Sequence, residues 1–477
     1  MKTLKKIILT GAACFYVSGL FAGGLLTNTN QSVHFLRNPA RNASTEIDAV
    51  YTNPAGLAKL SEEGWHFSLN NQSAFQTRTI SSTFAPFGSE AKDFEGKATA
   101  PFIPSLLGAY KKGDWVFSGS VSVIGGGGTL SFDKGLPSFE SQVATQVFAP
   151  LTQLNAAAIN SGYAGSPAGY SLDMSLDGTS IIYAVQLGAT YKINDNFSVF
   201  AGGRMSIVDN AYKGYMRNVS ITDSEGLKTH FTNTAAYLNG LGQTDMANAL
   251  TGAAAGVTQL ENGVAATNIA LDCSQSGLGI APILGFNFNW DQLNIGVKYE
   301  FLTKIDLENK TEIDDTGMFP DKAKTPYDIP SILTVGAQYD IVPCVTVSAS
   351  WNHFFDSDAK MANDKQKYIN GGINDYMLGA EWRINKRFLV SAGGIFTRTG
   401  VTDDYQADMN FFLNSNSFCF GGAVNVSESV RINLGCLFTN YEDWSKESTS
   451  YYNAGMPGTE VFSRTNMAFG VGVDFRF

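Results

Sequence analysis

Residues 181–207, IIYAVQLGATYKINDNFSVFAGGRMSI, place Ile181, Tyr183, Val185, Leu187, Ala189, Tyr191 and Ile193 at every second position. After Asn194-Asp195-Asn196 the rhythm resumes in Phe197, Val199, Ala201, Gly203, Met205 and Ile207. Successive side chains of an extended chain point to opposite sides, so these are two strands, each with one apolar face, joined by a tight turn. The same period recurs in Leu293, Ile295, Val297, Tyr299 and Phe301, in Leu333, Val335, Ala337 and Tyr339, and in Phe388, Val390, Ala392, Gly394 and Phe396. The chain ends on it, with Phe469, Val471, Val473, Phe475 and Phe477.

Turn-bounded segments predict strands near 65–79, 101–111, 115–131, 175–193, 196–211, 278–290, 293–308, 329–340, 344–356, 373–384, 387–400, 414–427, 430–444 and 463–477. Their number is fourteen, and the connections alternate between short turns, such as Asp291-Gln292 and Asn385-Lys386, and much longer loops. Strands of a soluble sandwich average about five or six residues. These run to ten or more, near the roughly 9–11 that a tilted strand needs to cross a bilayer. The expected fold is all-β, a transmembrane antiparallel β-barrel of about 14 strands with turns on one rim and loops on the other.

Composition agrees by exclusion. Among 477 residues there are 49 Gly, 33 Phe and 19 Tyr but only 16% charged side chains, and the mean hydropathy is −0.05, which speaks against a bundle of spanning helices. Residues 1–22 read as a secretory signal, with Lys2, Lys5 and Lys6 before the apolar stretch Ile7 to Phe21 and Ala22 as the cleavage end. Cys14 sits in mid-stretch with Gly11 three residues upstream, which argues against lipid attachment. Losing three lysines takes the formal charge from −10 to −13, so nucleic acid is not an expected partner. Cys273, Cys344, Cys419 and Cys436 are widely spaced, without a metal or disulfide pattern, and alternation puts Cys419 and Cys436 on opposite faces.

Three segments break the rhythm. Residues 23–64, rich in Asn, Ala, Thr and Gly, precede the first strand. Residues 132–176 carry Phe139, Val143 and Val147, then Leu151, Leu154 and Ala158, with Pro150 between the sets, which predicts two short amphipathic helices. Residues 212–277 are Ala-rich, with Tyr237, Leu238, Leu241, Met246, Leu250 and Leu260 at near-helical spacing.

In the first segment, Asp48-Ala49-Val50-Tyr51-Thr52-Asn53-Pro54-Ala55-Gly56-Leu57-Ala58 resembles the plug of the FadL family, outer-membrane transporters of long-chain fatty acids and other hydrophobic compounds. Val297 to Leu307 is similar to that family's seventh strand, and Pro326 with Pro330 to the approach to its eighth. Asn38-Pro39-Ala40 repeats the tripeptide without the same flanks. The resemblance implies that residues 23–64 form an N-terminal hatch in a barrel spanning residues 65–477, with Asn53, Pro54, Ala55 and Gly56 as its motif. It implies a hydrophobic small-molecule ligand, caught among extracellular loops, held in an apolar lumen pocket and released by hatch rearrangement and a wall opening at an inward kink of the third strand. Gly125, Gly126, Gly127 and Gly128, near the outer end of that strand, are the kink candidates, since glycine tolerates angles other residues resist. The longest loops are the second and third here, where the family's best-known form has the third and fourth.

Phe139, Val143, Val147, Phe148, Leu151, Leu154, Leu238 and Leu241 are the apolar loop positions available to contact ligand, their competing role being to pack loop helices together. Alternation turns Arg204, Lys298, Glu300, Glu381, Arg383, Arg431, Asp474 and Arg476 inward. Arg204 and Arg383 are candidate anchors for a ligand carboxylate, against the competing role of pairing with other lumen charges or the plug. Expected partners are the lipid bilayer, lipopolysaccharide and, through Phe477, the barrel assembly machinery, for a monomer in the bacterial outer membrane. No cofactor, metal or catalytic residue is expected: His34, His66, His230 and His353 are scattered, and no G-x-S-x-G elbow is present. The rivals are an open diffusion pore for small polar solutes, which the plug-like segment opposes, and a surface-binding or adhesion barrel.

Overall fold

The structure is a computed structural model, and it describes residues 25–28 and 30–477; the segment read as a secretory signal lies outside them. Among the described residues, seventeen strand segments form one antiparallel sheet. They are β1 (Gly64–Phe84), β2 (Lys92–Lys112), β3 (Trp115–Phe132), β4 (Tyr170–Lys192), β5 (Phe197–Ile221), β6 (Ile269–Trp290), β7 (Leu293–Glu300), β8 (Asp306–Asp314) and β9 (Lys324–Pro326). The rest are β10 (Ile332–Val342), β11 (Val345–Phe354), β12 (Ile373–Arg383), β13 (Phe388–Arg398), β14 (Ser415–Asn425), β15 (Val430–Tyr441), β16 (Trp444–Ser448) and β17 (Gly458–Arg476). β1 pairs with β17 from His66↔Arg476 to Phe84↔Gly458, which closes the sheet on itself. Three staves are interrupted, β7–β8, β9–β10 and β15–β16, so the barrel has fourteen staves.

Alternation decides the two faces. Phe102, Leu187, Leu278, Ile280, Phe418 and Val471 point outward and stay exposed, while inward neighbours such as Ser68, Asn70, Gln186 and Asn433 are buried. Trp65 and Tyr110, and Trp115 and Tyr191, pack as tilted pairs with ring centroids 4.7 Å apart near the short-turn rim, where amphipathic rings suit the bilayer interface. Cys419 is buried on the lumen side and Cys436 lies on the outer face, both as free thiols.

The structure departs from the sequence expectation in three places. β4, β5 and β6 run for 23, 25 and 22 residues, well into the stretches read as loops. Above the bilayer an outward side chain has no need to be apolar, so the period-two signal fades while the hydrogen-bond ladder continues. The two helices expected around Pro150 are one, α3 (Pro137–Asn160). Val143, Val147, Leu151, Leu154 and Ala158 form one buried stripe, and Pro150 lies on the solvent face, where a carbonyl left without its helical donor is least costly. The seventh stave, expected unbroken over 293–308, parts after Glu300 and resumes at Asp306, turning Ile305 and Leu307 into the interior.

Inside the barrel lie two short helices, α1 (Val33–Arg37) and α2 (Ala49–Thr52), and a 3-10 turn over Pro54–Lys59. The third long loop is a helical hairpin of α4 (Ser224–Gly240) and α5 (Thr244–Ala265), which packs with α3 over the barrel top. The loop before β14 dips inward and buries Tyr405, Phe411 and Phe412.

Candidate functional site

The Asn53-Pro54-Ala55-Gly56 motif docks residue by residue onto the wall. Asn53 Nδ2 donates to Asn287 Oδ1 on β6 at 2.8 Å and to the Ser44 carbonyl at 3.0 Å. The Pro54 carbonyl accepts from Thr190 on β4, and the Ala55 carbonyl from Ser198 on β5, both at 2.7 Å. Proline suits the first position of the 3-10 turn, where a missing N–H costs nothing. At Ala55, packed with Phe200 and Ile283, there is room for one methyl, and at Gly56 a Cβ would overlap the Asn53 amide and the Ser44 carbonyl. The second tripeptide also docks: Asn38 lies against Gly379 and Pro39 against Gly393. Inward glycines on successive staves, among them Gly296, Gly336, Gly379, Gly435 and Gly470, carve the seat in which the hatch backbone rests.

Charge fastens it. Arg41 holds Asp48 through Nε at 2.7 Å and Glu46 through Nη2 at 2.8 Å, and Arg431 of the wall reaches Glu46 at 2.6 Å. Arg37 pairs with Glu381 of β12, and His34 Nε2 lies 3.2 Å from Asp474 of β17. His34, Glu46 and Asp48 converge closely enough to suggest a metal site, but the arginines already neutralise both carboxylates, so the donor set does not fit one. Removing one partner of such a buried pair costs about 3–5 kcal/mol, because the other charge is stranded.

Burial works against ionising Glu46, yet the Arg431 and Arg41 guanidiniums overcome it and hold its carboxyl well below the usual range; Asp48 is buried too, and Arg41 lowers its carboxyl. Carboxyls depressed in the docked state stabilise docking above their free value, about 4, and that contribution fades as pH falls through the depressed values. Hatch docking is therefore expected to be unchanged from pH 7 to 5 and to weaken only below about pH 4. Protease accessibility of residues 30–60 against pH checks this; release between pH 7 and 5 would contradict it.

The wall is broken beside the four glycines. β2 and β3 pair from Gly96↔Phe132 to Thr99↔Thr129 and again from Ser105↔Ser122, with no pairing between. Gly126 and Gly127 have φ of +66° and +125°, in the left-handed region that favours glycine, and β3 bulges twice against β4 here. The opposing stretch of β2 contains Pro101 and Pro104, which offer no N–H to a ladder. Those two prolines are the signal that the sequence reading missed. On its other edge this stretch of β2 is held by side chains of β1: Asn71 Oδ1 accepts from Ile103 N–H at 3.1 Å, and Ser73 donates to the Pro101 carbonyl at 2.7 Å. The hatch reaches the break as well, since Asn28 N–H donates to the Ile124 carbonyl at 2.9 Å. Leu25 and Leu26 of the hatch segment form an apolar cluster there with Ile124, Ile182, Phe354, Tyr405 and Phe412.

The loop candidates separate. Val147, Phe148 and Leu151 line an outward-facing cavity of about 590 Å³, together with Phe87, Lys92, Glu140 and Met174. Phe139 lines a small crevice of about 30 Å³ with Met216 and Leu271. Val143 and Leu154 are in the loop core, Leu238 packs on its edge, and Leu241 is exposed.

Neither proposed carboxylate anchor is placed for that role. Arg204 is ion-paired with Glu300, donates to Gln186 at 2.6 Å and lies 4.4 Å over the Tyr51 ring, so it is committed to hatch and wall. Arg383 stands on the short-turn rim, bonded to Thr346 at 3.0 Å, and lines a vestibule of about 780 Å³ beneath the hatch. Alternation reads the face of a residue but neither its height nor its partner. His230 contacts Ser161 at 2.9 Å, but that hydroxyl donates to the Ala157 carbonyl at the end of α3, a capping arrangement; His353 bonds Asn374.

No protein-family model matches the chain, and no curated protein matches its sequence. In three dimensions it is similar to the crystal structure of a Pseudomonas aeruginosa FadL homologue, with a TM-score of 0.62 and 12% identity over 95% of this chain and 100% of that one. It is also similar to the P. putida toluene transporter TodX, at 0.55 and 16% over 91% and 95%, and to the Ralstonia pickettii toluene transporter TbuX, at 0.52 and 16% over 92% and 98%. At such identities the likeness establishes the fold, a FadL-type hatched barrel.

Proposed function

We propose that this chain carries hydrophobic molecules, long-chain fatty acids or similar compounds, passively across the bacterial outer membrane. The Val147–Phe148–Leu151 cavity captures them, the apolar cluster at the wall break holds them, and hatch movement frees them sideways between β2 and β3. One observation carries this reading: the hatch is docked on the wall inside the lumen, while that wall is unpaired beside the apolar cluster. A docked hatch obstructs ions, but a greasy molecule leaving between β2 and β3 passes into lipid. Prolines at the gap lower its cost in hydrocarbon, because an absent N–H needs no partner. Affinity comes from apolar burial, about 25 cal/mol per Å². Phe477, whose N–H donates to the Trp65 carbonyl at 2.9 Å, presents the final strand on the rim where assembly machinery would meet it.

In planar bilayers the intact protein is expected to show no large steady conductance, and native mass spectrometry from mild detergent to reveal a co-purifying hydrophobic molecule. A large steady conductance would instead mark a diffusion pore for polar solutes.

A further inference from the structure

Pro101 and Phe102 of β2 together oppose the single Ser73 of β1, and both face outward, so the inward side passes from Ala100 to Ile103. On the facing strand Val123, Ile124, Gly125 and Gly126 are all buried. A strand lying in the wall would turn every second residue outward, so β3 bows into the lumen here. Ile103, itself buried, enters the space this leaves. A Cβ placed on Gly127 would meet Cδ1 of Ile103 at 3.2 Å, Cγ1 at 3.3 Å and Cγ2 at 3.9 Å, its three nearest atoms. One aliphatic side chain against bare backbone therefore fills a stretch where the two strands do not pair.

Its backbone is fixed and its side chain is not. Asn71 Oδ1 accepts the Ile103 N–H at 3.1 Å, Pro104 holds the residue before it in extended angles, and the ladder resumes at Ser105↔Ser122. A branched side chain on such a post moves by rotation among a few staggered positions, without breaking a hydrogen bond. The hatch backs it on the lumen side: the Leu26 carbonyl takes the place a Cβ would have at Gly125, and Asn28 bonds to Ile124. Hatch movement removes that inner barrier and leaves Ile103 standing in the slot.

We propose, resting on the sideways exit above, that Ile103 sets the girth of the molecules that leave. Between the Ile103 post and Gly127 the slot widens by one side chain at most, so slim flexible chains pass and rigid cages are retained. Selection then falls on exit and not on binding.

The test is protein-dependent cellular uptake of tetradecan-1-ol and diamantan-1-ol, equal in carbon number and head group and different in girth, alongside equilibrium binding of both to the purified protein in nanodiscs. The wild type is expected to bind both and to take up tetradecan-1-ol at least tenfold faster. Ile103→Ala should raise diamantan-1-ol uptake until that preference is less than threefold, Ile103→Phe should slow both, and neither should change binding more than twofold. Heat-modifiable gel mobility reports folding. If Ile103→Ala does not fold, Ile103→Val, one methylene shorter, is expected to lower the preference in the same direction by less. Equal uptake of both alcohols by the wild type, a preference already present in wild-type binding, or one that survives in folded Ile103→Ala overturns the gate and leaves transport standing. Protein-dependent uptake of neither alcohol overturns the transport function and the gate with it.

Discussion

Gly296→Leu is expected to unseat the hatch and turn a closed barrel into a conducting one. Gly296 lies on the inward face of β7, where even a Cβ would overlap the Asn42 carbonyl and stand 2.7 Å from Asn53 Cγ. Those two asparagines carry the local anchoring. Asn42 Nδ2 lies within hydrogen-bond distance of Asn352 Oδ1 at 2.8 Å and of the Trp351 carbonyl at 3.1 Å, and Asn53 bonds Asn287 and Ser44. Overpacking costs about 1–3 kcal/mol, and each lost hydrogen bond about 1 kcal/mol more. A total of about 3 kcal/mol shifts the docked-to-undocked ratio by roughly a hundredfold. Single-channel conductance reads the change directly. Gly203→Leu, on the lipid-facing side of β5 where a Cβ would meet nothing nearer than 3.4 Å, should leave the barrel closed. Asn53→Ala removes anchoring without adding bulk and should open it in the same direction, by less. A closed Gly296→Leu channel that folds normally would mean the glycine seat does not hold the hatch.

Zipping the wall shut is expected to abolish uptake and leave the barrel intact. Between the paired stretches β2 has the five residues 100–104 and β3 the six residues 123–128, so β3 carries one in excess. Deleting Gly127 together with Pro101→Thr and Pro104→Thr equalises the count and restores two N–H donors, that of residue 104 toward β3 and that of residue 101 toward β1, the side to which Ile103 already donates. Each regained hydrogen bond contributes about 1 kcal/mol. Leaving Gly126 in place avoids the strain of a side chain at φ +66°, where a Cβ would also overlap the Ser180 carbonyl. Cellular uptake of a labelled hydrophobic compound should fall at least tenfold, with binding to the purified protein unchanged. Undiminished uptake would place the exit elsewhere, through the floor, and the Gly296→Leu barrel would then be the faster carrier.

Much of this molecule was legible in one dimension. Alternation over Ile181 to Ile207 and Phe469 to Phe477 records two solvents, lipid outside and a polar lumen inside, and a strand has no other way to meet both. The hatch was legible at Asn53-Pro54-Ala55-Gly56 as a resemblance, but the reason for each letter was not, because Asn287, Thr190 and Ser198 lie more than a hundred positions away. Pro150 misled because sequence spacing does not say which face of a helix meets solvent. The prolines of β2 passed unnoticed because their meaning depends on the glycines they oppose across the register.

The sequence alone determined the barrel and the two faces of each strand, consequences of local period and composition, while the plug was legible only through the resemblance of its motif. Only the tertiary structure decided which neighbours each inward charge meets. Arg204 and Arg464 look alike as inward arginines on alternating strands. Closure of β1 against β17 sets Arg464 beside Arg78, and the fold of β5 through β7 sets Arg204 beside Glu300. Charge acts over a few ångströms, and distances that short between residues far apart in the chain exist only once the sheet has closed.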